Sequence, residues 1–362
     1  MSRPTHKPIH DWFPNELLAS MIRHSPVSDL FALCTVSPTP VLYRTVVIYS
    51  TPRTLELFRT LEEREQGAGP PLTPHIRCFR IHQNFDLRVN LHKPLPPLLM
   101  NALTHHLAQM RLLDTLDLSS PNALNFTEVL EDIYFPKLSR LRLLLTDETA
   151  ARFPAFLNRH RTIVDLGFGP FLNEGMELSG RIRLPNLRIY DGPSSLLSFF
   201  ELHTTSLEQA CLQWFPLNRD IVRPFAYLAS LSPRLKTLVV ISMFSTLGVV
   251  PILESVVKHL RDIQILRFQT PKQEHFFHIS EDDLTKVANH LKKLPMLTVL
   301  EFPRRRFTLE SESDEKITDA LKLWRSACPK LSEVTFHDSR WQWAQGRWFP
   351  MDKNRNLDHM LY

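Results

Sequence analysis

The sequence predicts an α/β solenoid: a curved parallel sheet with helices on its convex side, behind a short N-terminal helical module. Three observations predict it. An apolar residue, two variable residues, an apolar residue, one variable residue and a further apolar residue form a pattern that recurs along the chain. Segments with helical periodicity separate its copies. Proline often stands two residues before a copy begins, as in Pro136-Lys137-Leu138, Pro185-Asn186-Leu187, Pro233-Arg234-Leu235, Pro295-Met296-Leu297 and Pro329-Lys330-Leu331.

The pattern reads Ile76-Phe79-Ile81, Leu113-Leu116-Leu118, Leu138-Leu141-Leu143, Ile163-Leu166-Phe168, Leu235-Leu238-Val240, Ile263-Leu266-Phe268, Leu297-Leu300-Phe302 and Leu331-Val334-Phe336. Weaker copies are Leu187-Tyr190 and Leu207-Ala210-Leu212. One copy is too short to bury its own apolar face, so stacked copies must share a core. Proline cannot extend a preceding helix and biases its predecessor toward extended geometry.

The helical segments are Leu55 to Glu62, Leu98 to Met110 after Pro96-Pro97, Glu128 to Ile133, Thr149 to Leu157, Ile221 to Leu231, Ile252 to Leu260, Leu284 to Leu294 and Ile317 to Ala327. Prolines are frequent at 28 and glycines scarce at 9, which suits rigid punctuation over flexible linkers. The uncharged stretch Thr237 to Leu253 is shorter than the ~20 apolar residues of a membrane span. It reads as a strand, a loop and the start of a helix.

First anchors advance in steps of 20 to 37 residues from Ile76 to Leu331. One strand and one helix per unit of about this length resembles the irregular leucine-rich repeats of intracellular proteins. The Asn or Cys that such repeats carry three residues past the third anchor is missing; Pro121, Thr146, Phe171, Met243, Pro271, Arg305 and Ser339 stand there. A doubly wound sheet also alternates strand and helix. Against it stand the fixed anchors and the lack of a Gly-rich phosphate loop; Gly167-Phe168-Gly169 has no third glycine and precedes Pro170.

The array occupies 46–340 in about ten repeats, with a C-terminal cap or tail at 341–362 whose Trp341, Trp343 and Trp348 cover the last repeat. Residues 1–45 form a separate module. Its first helix follows Pro14 with Leu17, Leu18, Met21 and Ile22, and its second opens at Ser28 with Leu30, Phe31, Leu33, Cys34 and Val36. Two such helices make no stable core alone.

Phe13 to Leu18, Ser28 to Leu30 and Ala32 to Ser37 resemble an F-box. The following Leu42 to Ile48 and the C-terminal tryptophans are similar to the F-box proteins of mushroom-forming fungi. Pro38-Thr39-Pro40 leaves the third helix of that family missing or very short. The resemblance implies a substrate-recognition subunit of a cullin-type ubiquitin ligase. It would bind a Skp-type adaptor through Pro14, Leu17, Leu18, Ile22, Leu30, Leu33 and Val36.

Side chains alternate along a strand, so the residues between anchors stand on the concave face. The residues expected to bind a protein substrate there are Arg80, His82, Asp117, Arg140, Arg142, Asp165, Gln209, Gln213, Arg267, Glu301, Glu333 and His337. The alternative is a repeat scaffold without ligase activity, its N-terminal helices capping the first repeat.

No catalytic residue, metal ligand or cofactor is expected. His105-His106 lies on a helix, where neighbours point about 100° apart, and no nucleophile elbow, P-loop or His-Glu-x-x-His motif occurs. Asp282-Asp283 reads as a pair that stabilises the positive end of a helix. The net charge of +5 is mild and spread out, so no nucleic-acid or membrane partner is expected. Cys34, Cys78, Cys211 and Cys328 lie far apart, and Met1 to His10 has no apolar signal core, which predicts a reducing cytoplasmic or nuclear setting.

Overall fold

The structure, a computed structural model, describes residues 44–48, 51–68, 71–81, 97–119, 130, 132–144, 153–169, 178–201, 206–214, 222–242, 248–269, 281–302, 314–336 and 339–351. The chain forms two compact units, Met1–Leu143 and Leu144–Tyr362. Strands of the array expected over 46–340 lie in both units. The N-terminal helices expected within 1–45 lie outside the described residues.

In the first unit the strands β1 (Thr45–Ile48), β2 (Cys78–Ile81), β3 (Thr115–Leu118) and β4 (Arg140–Leu143) pair in parallel and in chain order. Helix α1 (Thr51–Glu63) buries Phe58 and Leu61, and α2 (Pro97–Gln109) buries Leu103, His106 and Leu107, one turn apart as helical geometry requires. A wide turn, Arg64–Ala68, follows α1. Gly67 holds φ at 102° there, a left-handed backbone that a β-carbon would strain, and it ends the helix.

In the second unit β5 (Asp165–Phe168), β6 (Ile189–Pro193), β7 (Gln209–Trp214), β8 (Thr237–Ser242), β9 (Ile265–Gln269), β10 (Val299–Glu301) and β11 (Glu333–Phe336) are parallel in chain order. Helices α3 (Phe153–Arg159), α4 (Val222–Leu231), α5 (Val249–His259), α6 (Glu281–Leu291) and α7 (Asp314–Ala327) alternate with them. Within the stretch Thr237 to Leu253, the described residues are strand to Ser242 and helix from Val249. Of the helix expected from Glu128 to Ile133, only Leu130 is helical among the described residues, and the chain has turned by Asp132.

The anchors line up. Phe79, Leu116 and Leu141 are register partners in the first unit. Leu166, Tyr190, Ala210, Leu238, Leu266, Leu300 and Val334 form one row across the second. Each of these residues is fully buried. Third anchors make an aromatic layer above that row: Phe268 stacks on Phe302 at 5.6 Å, and Trp324 of α7 packs against Phe302 at 5.4 Å and Phe336 at 5.2 Å. The helices thus cover the anchor face.

Two backbone devices hold the turns that lead into the strands. First anchors close a turn: Leu138, Ile163, Leu187, Ile263, Leu297 and Leu331 each donate an N–H to the carbonyl three residues earlier. Pro136, Pro185, Pro295 and Pro329 fall at the second position of that turn, which suits their fixed φ. The residue before each strand then offers one carbonyl to two N–H groups of the next. Glu208 accepts from Lys236 and Thr237, Lys236 from Gln264 and Ile265, Gln264 from Thr298 and Val299, and Thr298 from Ser332 and Glu333. Ser332 and Thr298 add hydroxyl bonds to the same ladder.

The C-terminal boundary needs correction. The expected break between 340 and 341 cuts through β12 (Ser339–Ala344), which joins β11 antiparallel and forms a hairpin with β13 (Arg347–Met351). A strand cannot end while its ladder continues, so Ser339 and Arg340 belong with the tryptophans. Trp341 pairs with Val334, and Trp341 and Trp348 are buried. Among the described residues no helix is long and apolar enough to cross a membrane.

Candidate functional site

Between the buried anchors the intervening residues form two further rows in each unit. In the first unit Arg80, Asp117 and Arg142 are register partners, as are Cys78, Thr115 and Arg140. Arg140 is exposed and the other five are half-buried. Asp117 Oδ1 accepts from the Ser119 hydroxyl at 2.7 Å and fixes the end of β3. Burial raises the Cys78 thiol above its ordinary value.

In the second unit Arg267 and Glu301 are partners on β9 and β10, and their side chains pair at 3.2 Å. Asp165, Gln209 and Glu333 stand one row away, half-buried. Glu333 is held by Arg340 of β12 at 2.7 Å, a charge pair across the antiparallel junction that the spacing of the repeats does not reveal. The expected sites His82 and His337 lie outside the described residues, as do Pro14, Leu17, Leu18, Ile22, Leu30, Leu33 and Val36.

Gln213 is a correction. It was expected on the open face, but it is 7% exposed, and its Nε2 donates to the Phe168 carbonyl and to Asp191 Oδ1, both at 3.2 Å. β7 runs two residues past its last anchor, Leu212, which draws Gln213 between Pro193 and Ile241. Asp191 takes its place on the half-buried row, opposite Gly167 and Cys211.

A second cluster in the first unit joins α2 to the turn after α1. Glu65 lies in that turn, with its side chain 21% exposed. Its Oε1 accepts from the Thr73 hydroxyl at 3.0 Å and stands 3.4 Å from His106 Nδ1. Its Oε2 lies 3.3 Å from His105 Nε2 and 3.3 Å from the Gln109 amide nitrogen, which is itself 2.9 Å from His105 Nε2.

His106 is fully buried, stacked on Phe58 with ring centroids 5.2 Å apart. Neither of its ring nitrogens has an aligned hydrogen bond. Burial lowers its pKa, so the imidazole is neutral near pH 7. Burial raises the Glu65 carboxyl, but hydrogen bonds from Thr73, Gln109 and His105 outweigh it and keep the group below its ordinary value. No local pattern marks this cluster, because Glu65 arrives from 40 residues before His105.

Comparison with protein-family models finds no match, and comparison with curated proteins finds none. Among solved structures, a protein from Bacteroides fragilis is similar at a TM-score of 0.44 and 11% identity, over 81% of this chain and 75% of that one.

Proposed function

We propose that this chain is a substrate-recognition subunit of a cullin-type ubiquitin ligase, built as an F-box-like module followed by leucine-rich repeats. Pro14, Leu17, Leu18, Ile22, Leu30, Leu33 and Val36 would hold a Skp-type adaptor. Arg80, Asp117, Arg140, Arg142, Asp165, Gln209, Arg267, Glu301 and Glu333 would meet the protein substrate. The observation that supports recognition is the register: residues of both charges recur in rows on strands whose other face is wholly committed to the core. Such rows suit a polar protein surface, where complementary charge sets partner choice. The chain would act by proximity, raising the effective concentration of substrate lysines near a charged ubiquitin carrier.

The test is co-purification with the adaptor. Leu17→Asp with Leu30→Asp should abolish it, while Arg80→Glu with Arg142→Glu should keep the adaptor and lose the substrate. An unmutated protein that captures no adaptor overturns the ligase reading. Pro38-Thr39-Pro40, standing where a third helix would be, favours the second reading, a repeat scaffold without ligase activity.

A further inference from the structure

We propose that Glu65, His105 and His106 form a binding site for one divalent transition-metal ion, Zn2+ in the first instance. The three ligand atoms lie within 4.8 Å of one another, and the set of two imidazoles and one carboxylate is of the borderline type that such ions prefer.

The decisive feature is His106. A buried polar group without a partner is costly, and this one has both nitrogens sealed from solvent and unbonded. Its nearest acceptors are Glu65 Oε1 at 3.4 Å from Nδ1 and Glu62 Oε1 at 4.0 Å from Nε2. An ion at Nδ1 removes the deficit on that side. It also places the ring proton on Nε2, facing Glu62, in the carboxylate–histidine–metal arrangement that orients metal-bound imidazoles.

The spacing agrees. Two atoms about 2.0–2.1 Å from one tetrahedral ion are about 3.3–3.4 Å apart. Glu65 Oε2 lies 3.3 Å from His105 Nε2 and Glu65 Oε1 lies 3.4 Å from His106 Nδ1, so each imidazole faces its own carboxylate oxygen at a distance longer than a good N–H···O bond. All three ligand atoms lie within 4.8 Å, and His105, whose side chain is 59% exposed, has room to rotate toward the ion.

Glu65, His105 and Gln109 converge at this point. Gln109 offers its amide to both Glu65 Oε2 and His105 Nε2. A cation satisfies the nitrogen and the oxygen together and leaves the amide donating to Glu65.

Adjacent histidines on a helix diverge by about 100°, yet here the rings are edge to face at 5.1 Å, and the carboxylate spans them from outside the helix. Three protein ligands leave a fourth position for water. The ion would staple the turn after α1 to α2, with β2 between them in the chain, and stabilise only the folded chain.

The experiment uses the full chain stripped with a chelator and titrated calorimetrically with Zn2+, with Co2+ as a spectroscopic probe. One equivalent should bind, Co2+ should give a four-coordinate visible spectrum, and Zn2+ should raise the melting temperature. His105→Ala and Glu65→Gln should each remove tight binding, and Glu62→Gln should weaken it by about tenfold. Circular dichroism checks that the variants fold; His105→Ala alters an exposed side chain.

Carbethoxylation of the unmutated protein gives a readout that needs no variant. Zn2+ should protect His105 from the reagent and leave the exposed His75 reactive. No saturable binding, binding that either His105→Ala or Glu65→Gln leaves unchanged, or protection absent at His105 overturns the site.

Discussion

The ring of Tyr190 fills the space that a side chain at Gly192 would need. A β-carbon at Gly192 would stand 2.9 Å from the Tyr190 hydroxyl oxygen and 2.8 Å from a ring carbon of Phe168. Gly192 sits in register with Leu212, at a third-anchor position, and Tyr190 reaches across to donate its hydroxyl to the Pro193 carbonyl at 2.8 Å. The weaker copy of the pattern is thus completed by a longer second anchor. Gly192→Ala should destabilise the protein by about 1–3 kcal/mol, the usual cost of overpacking. Chemical denaturation measures it, and an unchanged midpoint would mean the ring yields freely.

Alternation along β9 separates structural from surface positions. Leu266 is fully buried, whereas the Arg267 side chain is 32% exposed. Leu266→Ala should cost about 2–5 kcal/mol through lost burial and a cavity. Arg267→Ala, which breaks a half-exposed pair with Glu301, should cost about 0–1 kcal/mol. Equal losses in a denaturant series would contradict the assignment of faces.

The protein should lose stability on mild acidification, in part through His160. This residue is 1% exposed, packs on Phe156 at 4.2 Å, and donates from Nδ1 to the Phe156 carbonyl at 2.8 Å. Burial pulls its folded pKa below 6.5 despite that bond. The unfolded chain then takes up a proton first as pH falls. The contribution is complete above about pH 6.5 and declines toward the lowered folded value. Melting temperatures at pH 7.5 and 5.5 should differ less in His160→Gln than in the unmutated protein; an identical difference would remove His160 from the account.

The terminal hairpin guards an edge. β12 covers the ladder of β11, and Trp341 lies opposite Val334. A chain ending after Phe336 would leave that strand free to pair with other molecules. Light scattering should show concentration-dependent association in the truncated protein and none in the full one. A monodisperse truncated species would refute this.

Most of the sheet was legible because its signal is local. A spacing of three and then two puts Leu113, Leu116 and Leu118 on one face whatever surrounds them, and prolines mark the turns before the strands. The rest depends on contacts that sequence spacing does not carry. Gly192 reads as a gap until Tyr190 is seen to fill it. Gln213 follows the rule of alternation but is enclosed by the strands on either side. The pairing of Arg340 with Glu333 requires a reversal of direction after Phe336. Glu65 and His106 meet only because a turn held by Gly67 brings the end of α1 against α2.

Among the described residues of the second unit, each strand from β6 to β10 bonds only to its predecessor and successor in the chain. No described strand of that unit is threaded between two others, so a pull on that unit's termini meets one rung at a time. Under tension it should peel in a staircase of short extensions instead of rupturing in one event, yielding gradually where an interleaved sheet of the same size would snap.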